Sequence, residues 1–256
     1  MNILCPVCNK ILSKNDKSYC CENGHSFDLA KEGYLNLNLK NSQKTGDNPQ
    51  MIKARQAFLE KGYYSFLRDE LIKHLDEDDR LVDLACGEGY YTSAFPCRDK
   101  IGIDLSKSGL KIASKKDKST LYLLNSIFHN PLEDESCDKL ITIFAPIAKQ
   151  EIVRLLKKDG QFILVKPDVF HLYELKEVIY RKPYVNEVSL IEIEGLTPYK
   201  ELSVRKKVTV EKEDIMNLFM MTPYVNTTSA DDKEKLNDLN NLEITFAFII
   251  DIYKKG

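Results

Sequence analysis

Nowhere in this 256-residue chain is there a run approaching the roughly 20 consecutive apolar residues that a membrane span requires. The N-terminus, Met1-Asn2-Ile3-Leu4-Cys5-Pro6, lacks the basic start and long apolar stretch of a secretory signal. Excess positive charge is missing too. The formal charge of −2 gives no bulk attraction to nucleic acid or anionic lipid, so any RNA contact must come from a local basic face. Internal repeats and extended low-complexity segments are absent. These absences predict a cytoplasmic globular protein with no membrane partner. The chain is long enough for one substantial core and a small appendage. In such a compartment its seven cysteines point to thiols and metal binding rather than disulfides.

The cysteines cluster at the start. Cys5-Pro6-Val7-Cys8 can project two thiolates from one tight turn, and Cys21-x3-His25 can supply a second pair after twelve intervening residues. Cys5, Cys8, Cys21 and His25 form a closed Cys₃His set, suited to a structural tetrahedral zinc with no open position for chemistry. Cys20 competes with Cys21 for the third thiolate, and spacing alone does not separate adjacent cysteines. The segment is too short for a core of its own, which favours metal over a cluster of ordinary thiols. Residues 27–37 read as its last packing layer. Residues 41–50 are polar and turn-rich, the composition of a linker or mobile loop. Lys31, Lys40, Lys44, Lys53 and Arg55 supply local positive charge, although a solvated surface would have the same composition.

Between Met51 and Leu75, Ile52, Ala54, Ala57, Phe58, Leu67, Leu71, Ile72 and Leu75 follow helical spacing, interrupted at Gly62-Tyr63-Tyr64. Two helices with a bend are expected; Tyr64 is placed where the bend could lean over a ligand pocket, although a buried core tyrosine is the better reading. An apolar run with one acid, Leu81-Val82-Asp83-Leu84, then breaks into Gly87-Glu88-Gly89 before a segment expected to begin a helix. Strand, glycine turn and helix are where an α/β protein holds a nucleotide-like ligand, because glycine lets backbone pass close beneath it. Further apolar runs at 100–103, 121–124, 139–144 and 161–165 alternate with helix-length segments, the pattern of a parallel doubly wound sheet. Strand-like runs at 202–210 and 242–250 flank a helix at 214–221.

Asp104 ends the second strand, 21 positions past Asp83, where a carboxylate can accept both ribose hydroxyl bonds. The turn lacks a Walker lysine, which excludes P-loop ATP hydrolysis. Thr92 stands where a dinucleotide binder has its third glycine. S-adenosylmethionine, with no pyrophosphate to cradle, suits this turn better. His171 follows the fifth strand on the carboxyl edge of the sheet, where ligands bind.

Asp83 to Thr92 with Gly102-Ile103-Asp104 resembles the first two motifs of the class I methyltransferases. The wider pattern comprises Cys5-Pro6-x-Cys8, Cys21-x3-His25, Phe27-Asp28, residues 30–34, Gly46-Asp47, Ala54-Arg55, Phe58-Leu59, His171-Leu172-x-Glu174-Leu175-Lys176 and Met221-Thr222-Pro223. Over essentially the whole chain this resembles the bacterial 23S rRNA (guanine-N1)-methyltransferases, the RlmA family. The resemblance implies an α/β, Rossmann-like sheet of seven mostly parallel strands. A zinc-binding, RNA-recognition module at 1–40 would precede linker and helices at 41–75 and a methyltransferase domain at 76–256. It also implies S-adenosyl-L-methionine as cofactor, S-adenosylhomocysteine as product, one structural zinc, 23S rRNA as partner and a homodimer with an RNA cleft.

Carried over position by position, Cys5, Cys8, Cys21 and His25 match the zinc ligands. Tyr64, Gly87-Glu88 and His171 match cofactor contacts, and the class I pattern adds Asp83, Gly89 and Asp104. Ala85 departs from the glycine common in relatives. The implied substrate is a guanine in a hairpin of 23S domain II at the macrolide- and tylosin-binding exit tunnel, with two neighbouring guanines open.

Guanine N1 must lose a proton as it attacks the methyl group, so alignment and a proton acceptor are needed. Phe144-Ala145-Pro146 stands where amino-directed relatives carry a polar residue, and no general base is named. Glu88 suits a cofactor contact better. A small-metabolite methyltransferase would leave the zinc module unexplained. A worn, RNA-binding scaffold would not need Asp83, Gly87, Gly89 and Asp104 intact.

Overall fold

The computed structural model describes residues 1–39 and 48–256. Most of the expected 41–50 linker, together with Lys40, Lys44, Gly46 and Asp47, lies outside the described residues. The N-terminal module is a four-stranded antiparallel sheet in sequential order: β1 (Ile3–Leu4), β2 (Ile11–Asn15), β3 (Ser18–Cys20) and β4 (Ser26–Asp28). Next come β5 (Leu35–Asn36), then helices α1 (Pro49–Glu60) and α2 (Ser65–Ile72). The body follows as β6 (Arg80–Leu84), β7 (Asp99–Asp104), α3 (Lys107–Lys116), β8 (Leu121–Leu124), β9 (Cys137–Ile143) and α4 (Lys149–Leu155). It ends with β10 (Leu156–Pro167), α5 (Tyr173–Ile179), β11 (Leu196–Glu211), α6 (Lys212–Met220), α7 (Ala230–Glu234) and β12 (Asn241–Lys255).

The main sheet runs β11-β12-β10-β9-β6-β7-β8-β5, with β12 antiparallel to both neighbours and the other pairs parallel. Strand order reverses between β6 and β9, which opens the ligand crevice beyond their carboxyl ends. The expected seven strands become eight. Leu35 and Asn36 pair with Leu123 and Leu124, so the segment after the metal module extends the main sheet. Ile3, Leu12, Leu35 and Leu37 share one apolar core with Val82, Leu84, Ile101 and Leu140. The Leu4 N–H donates to Pro131 O at 2.7 Å, tying the module's first strand to the body.

Several expected boundaries move: β10 and β11 begin earlier and β12 ends later than the apolar runs, and two changes fall near the crevice. No α-helix follows the glycine turn, only a 3₁₀ turn at Thr92–Ala94. Pro96 holds Phe95 extended (ψ 138°), and the buried Lys100 Nζ donates to the carbonyls of Thr92 and Phe95, which a helix would need. The fourth strand stops at Ile143, because Phe144 turns to φ +54° while its N–H donates to Val165 O.

The bend after α1 forms as expected, at Gly62 (φ +83°). Asn48 caps α1 by accepting from the N–H groups of Gln50 and Met51, and Pro49 suits the first turn. Lys61 Nζ and Tyr63 Oη both donate to Oδ2 of buried Asp214 on α6, at 2.7 and 2.9 Å. That anchorage fixes where Tyr64 enters the core. No helix among the described residues is long and apolar enough to cross a membrane.

Candidate active site and metal centre

The glycine turn is shaped by what lies against it. Gly87 (φ +57°) and Gly89 (φ +75°) occupy backbone conformations that suit glycine. A Cβ on Gly89 would stand 2.8 Å from Tyr122 Oη and 2.9 Å from Ala113 Cβ. Gly109, in the first turn of α3, lets that helix abut the turn, since its Cβ would lie 2.8 Å from Gly87 O. Ser106 caps α3 by accepting from the Gly109 N–H. Ala85 also sits in the left-handed region (φ +65°), where its Cβ is a cost that glycine would avoid.

Asp104 ends β7 beside this turn. Its Oδ2 accepts from the Gly87 N–H at 2.8 Å and its Oδ1 from the Ser106 N–H at 2.6 Å. Two loops thus orient one carboxylate. Each of its oxygens has more than one acceptor direction, so the aimed group can also receive hydroxyl donors. Glu88 is buried, with Arg55 of α1 reaching across the turn to within 3.9 Å of its Oε2. The basic residue picked out in the sequence thus faces an acid inside the site. Lys31 and Lys53 are exposed.

Asp83 lies beneath the turn rather than at its surface. It is 2% exposed and accepts a 2.5 Å bond from Thr92 Oγ1. Burial, opposed by that bond and reinforced by the charges of Asp104 and Glu88, raises its carboxyl to about 7. Thr92, which the sequence marked only as a missing glycine, therefore has a positive task. Its signal was the hydroxyl nine residues past an intrastrand acid.

Tyr64 and His171, far apart in sequence, meet at ring centroids 6.3 Å apart. Both pack on Phe246 and Phe248 of β12. His171 Nδ1 accepts from the Ala247 N–H at 3.2 Å, which puts the proton of the neutral ring on Nε2. Burial, assisted by the Lys176 charge, lowers this histidine to about 3. It is a fixed N–H donor across the neutral range, not a base. The hydroxyl of Tyr91 is buried without a partner, and Tyr64, Tyr90, Glu88 and Arg55 are its electrostatic neighbours. An orphaned hydroxyl, an aimed carboxylate and a glycine cradle fit a ligand that carries ribose and charged amino-acid groups.

In the N-terminal module two tight turns face each other. One is closed by the Asn9 N–H to Cys5 O (2.8 Å), the other by the Gly24 N–H to Cys21 O (3.0 Å), with Asn9 and Gly24 at positive φ. They bring Cys5, Cys8, Cys21 and His25 together, their donor atoms all within 4.8 Å of one another. A tetrahedral zinc with 2.3 Å Zn–S bonds places sulfurs about 3.8 Å apart, and sulfur from nitrogen about 3.6 Å. The Cys8–Cys21 separation is 3.7 Å, Cys5–His25 Nδ1 is 3.6 Å and Cys21–His25 Nδ1 is 3.3 Å. A backbone hydrogen bond from Lys10 leads the effects that lower the Cys8 thiol to about 6. Cys20 stands outside the cluster, its Sγ 3.3 Å from Ser26 Oγ.

Comparison with known proteins agrees for the metal module and for the sheet that carries the glycine turn. The RlmA N-terminal family, a zinc ribbon, matches residues 3–43, and the methyltransferase domain family matches residues 82–164. Among solved structures, a methyltransferase bound to the Trm112 activator in Haloferax volcanii superposes with a TM-score of 0.53. It is 16% identical, over 83% of this chain and all of that one. A Bacillus halodurans C-125 structure described as a methyltransferase gives 0.51 at 19% identity, over 74% and 98%. At these identities they establish the fold alone; together with the methyltransferase domain match it is that of a class I methyltransferase, whose cofactor is S-adenosylmethionine. In sequence the chain is 31% identical, over 94% of its length and 93% of the relative, to YxjB of Bacillus subtilis (strain 168), provisionally named a 23S rRNA (guanine-N(1)-)-methyltransferase. It is 29% identical, over 68% and 66%, to the 23S rRNA (guanine(748)-N(1))-methyltransferase of Streptomyces fradiae. With a zinc ribbon, a class I methyltransferase sheet and near end-to-end similarity, the chain belongs to the 23S rRNA (guanine-N1)-methyltransferase family.

Proposed function

We propose that this protein transfers a methyl group from S-adenosylmethionine to N1 of a guanine in the domain II hairpin of 23S rRNA that lines the macrolide-binding exit tunnel. The observation that carries the reading is the continuous similarity to YxjB, which spans the metal module and the catalytic sheet together. A small-molecule methyltransferase needs only the second. In this reading residues 1–40 form an RNA-recognition module in which Cys5, Cys8, Cys21 and His25 hold a structural zinc. Residues 41–75 link it to a catalytic domain at 76–256, and the active assembly is a homodimer in the cytoplasm.

S-adenosylmethionine supplies an electrophilic methyl on a sulfonium, so the chain's own residues need only bind, orient and dehydrate. Asp104, held by the amides of Gly87 and Ser106, aims at the ribose hydroxyls. Gly87, Glu88 and Gly89 pass close beneath the ligand, with Asp83 bracing them from below through Thr92. Tyr64 forms an apolar wall, and His171 presents its Nε2–H to an acceptor on the ligand. The target base must leave its stack to bring N1 into line with the methyl.

Methyl on N1 blocks Watson–Crick pairing, so reverse transcriptase should halt at the modified guanine in rRNA from cells carrying the gene and read through in its absence. Identical stops in both strains would refute the rRNA assignment.

A further inference from the structure

Phe144 stands at the carboxyl end of β9, on the far side of the strand-order reversal from Asp104 and the α3 cap. Ribose recognition thus lies on one side of the crevice and Phe144 on the other. Its conformation is unusual for its type. A bulky aromatic residue holds φ +54°, a region that favours glycine and that short polar side chains occasionally adopt. Burial does not account for this, because 43% of the residue is exposed. The chain secures the conformation from behind: its N–H donates to Val165 O, and its ring lies against three buried aromatics. Ring centroids are 5.1 Å away for Phe248, 6.4 Å for Tyr64 and 6.5 Å for His171, the last nearly parallel at 20°.

Phe144 belongs to a pattern. The other exposed phenylalanines, Phe128 and Phe170, also lie in loops just past the carboxyl ends of parallel strands, β8 and β10. Of the three, Phe144 alone is in direct ring contact with both Tyr64 and His171, the groups that line the cofactor side.

We infer that Phe144 is the platform on which the extruded guanine stacks, its strained backbone presenting the ring to the base while Phe248, Tyr64 and His171 hold it from behind. Unstacked bases are held on aromatic faces because every base offers a π-surface, and each such contact matters at the level of one to two orders of magnitude in binding. The absence of a polar residue at this turn is then explained. The position serves to hold the base flat and in register with the methyl group, not to bond its exocyclic amine.

This inference rests on the guanine reading above, and the test separates the two. Full-length, zinc-loaded protein is assayed on a transcript of the 23S domain II hairpin, comparing wild type, Phe144→Leu and Phe144→Tyr. Leucine keeps the apolar packing but has no ring; tyrosine keeps the ring. The leucine variant should bind S-adenosylmethionine in calorimetry like wild type and stay folded, melting at most a few degrees lower for the lost ring contacts, yet lose about 5- to 150-fold in kcat/KM for RNA. The tyrosine variant should stay within about threefold of wild type. With 2-aminopurine at the target position, fluorescence should be quenched by wild type and Phe144→Tyr and remain bright with Phe144→Leu. Unchanged kcat/KM and quenching in Phe144→Leu would overturn the stacking role alone. Wild-type protein that binds the cofactor but leaves the hairpin unmethylated would overturn the guanine reading, and this inference with it.

Discussion

Asp83 and His171 depart from their ordinary titration in opposite directions, and replacing Asp83 by asparagine should expose that opposition. The buried Asp83 carboxyl titrates near 7 in the fold and near 3.9 in an unfolded chain. Between those values the native protein keeps a proton that the unfolded chain has released, so stability falls as pH rises, by up to about 4 kcal/mol. His171 titrates near 3 in the fold against about 6.5 unfolded. Over that window the unfolded chain holds a proton that the fold excludes, and stability rises with pH by a similar amount. From pH 4 to 6.5 the two slopes largely cancel in the wild type. Asparagine still accepts from Thr92 but does not titrate, so the His171 slope should emerge, with stability rising by roughly 3 kcal/mol from pH 4 to 6.5. Urea unfolding of zinc-loaded, cofactor-free protein at pH 4.5, 6 and 8 measures this. The difference between wild type and Asp83→Asn cancels the pH dependence of zinc binding, which both share. A difference constant to about 0.5 kcal/mol from pH 4.5 to 8 would refute a buried, protonated Asp83.

Further outcomes follow from the same geometry. Cys21→Ser should lose its bound zinc while Cys20→Ser retains it, read by metal analysis after gel filtration; the reverse result would reassign the third thiolate. Ala85→Gly should raise stability by about 1 kcal/mol in denaturant unfolding by relieving the left-handed Cβ, and a loss of that size would show that Ala85 packing outweighs the strain. Asp104→Asn removes a charge-assisted acceptor and should weaken S-adenosylmethionine binding by about 10- to 100-fold in calorimetry; its NH2 cannot accept from one of the Gly87 and Ser106 N–H groups, so thermal unfolding should also move down by a few degrees. Unaltered affinity would remove Asp104 from the ribose site.

Three groups of the candidate site are held by partners outside their own elements. Asp83 is fixed by Thr92, His171 by the backbone of β12, and Tyr64 by a bend that Asp214 of α6 secures. The crevice is therefore largely pre-formed by long-range packing, as catalysis by alignment requires.

Local chemistry was legible in the sequence. Cys5, Cys8, Cys21 and His25 announce a metal by donor type and spacing, because two short turns suffice to aim four ligands. The β6 strand, its glycine turn and Asp104 announce a nucleotide-like ligand because the close approach is built within 25 residues. Apolar runs located the body strands, although β10 and β11 begin five and six residues earlier than those runs and β12 ends five later. The remainder was decided by contacts between distant segments. The choice between Cys20 and Cys21 depends on which face of a hairpin meets the knuckle. The eighth strand exists because Leu35 finds a parallel partner in Leu123. The helix expected after Gly89 gives way because Lys100 takes its carbonyls. Phe144 turns into a left-handed conformation because Val165, Phe248 and His171 meet it there. Spacing encodes what one turn can bring together, and only the packed chain sets which distant side chains confront one another.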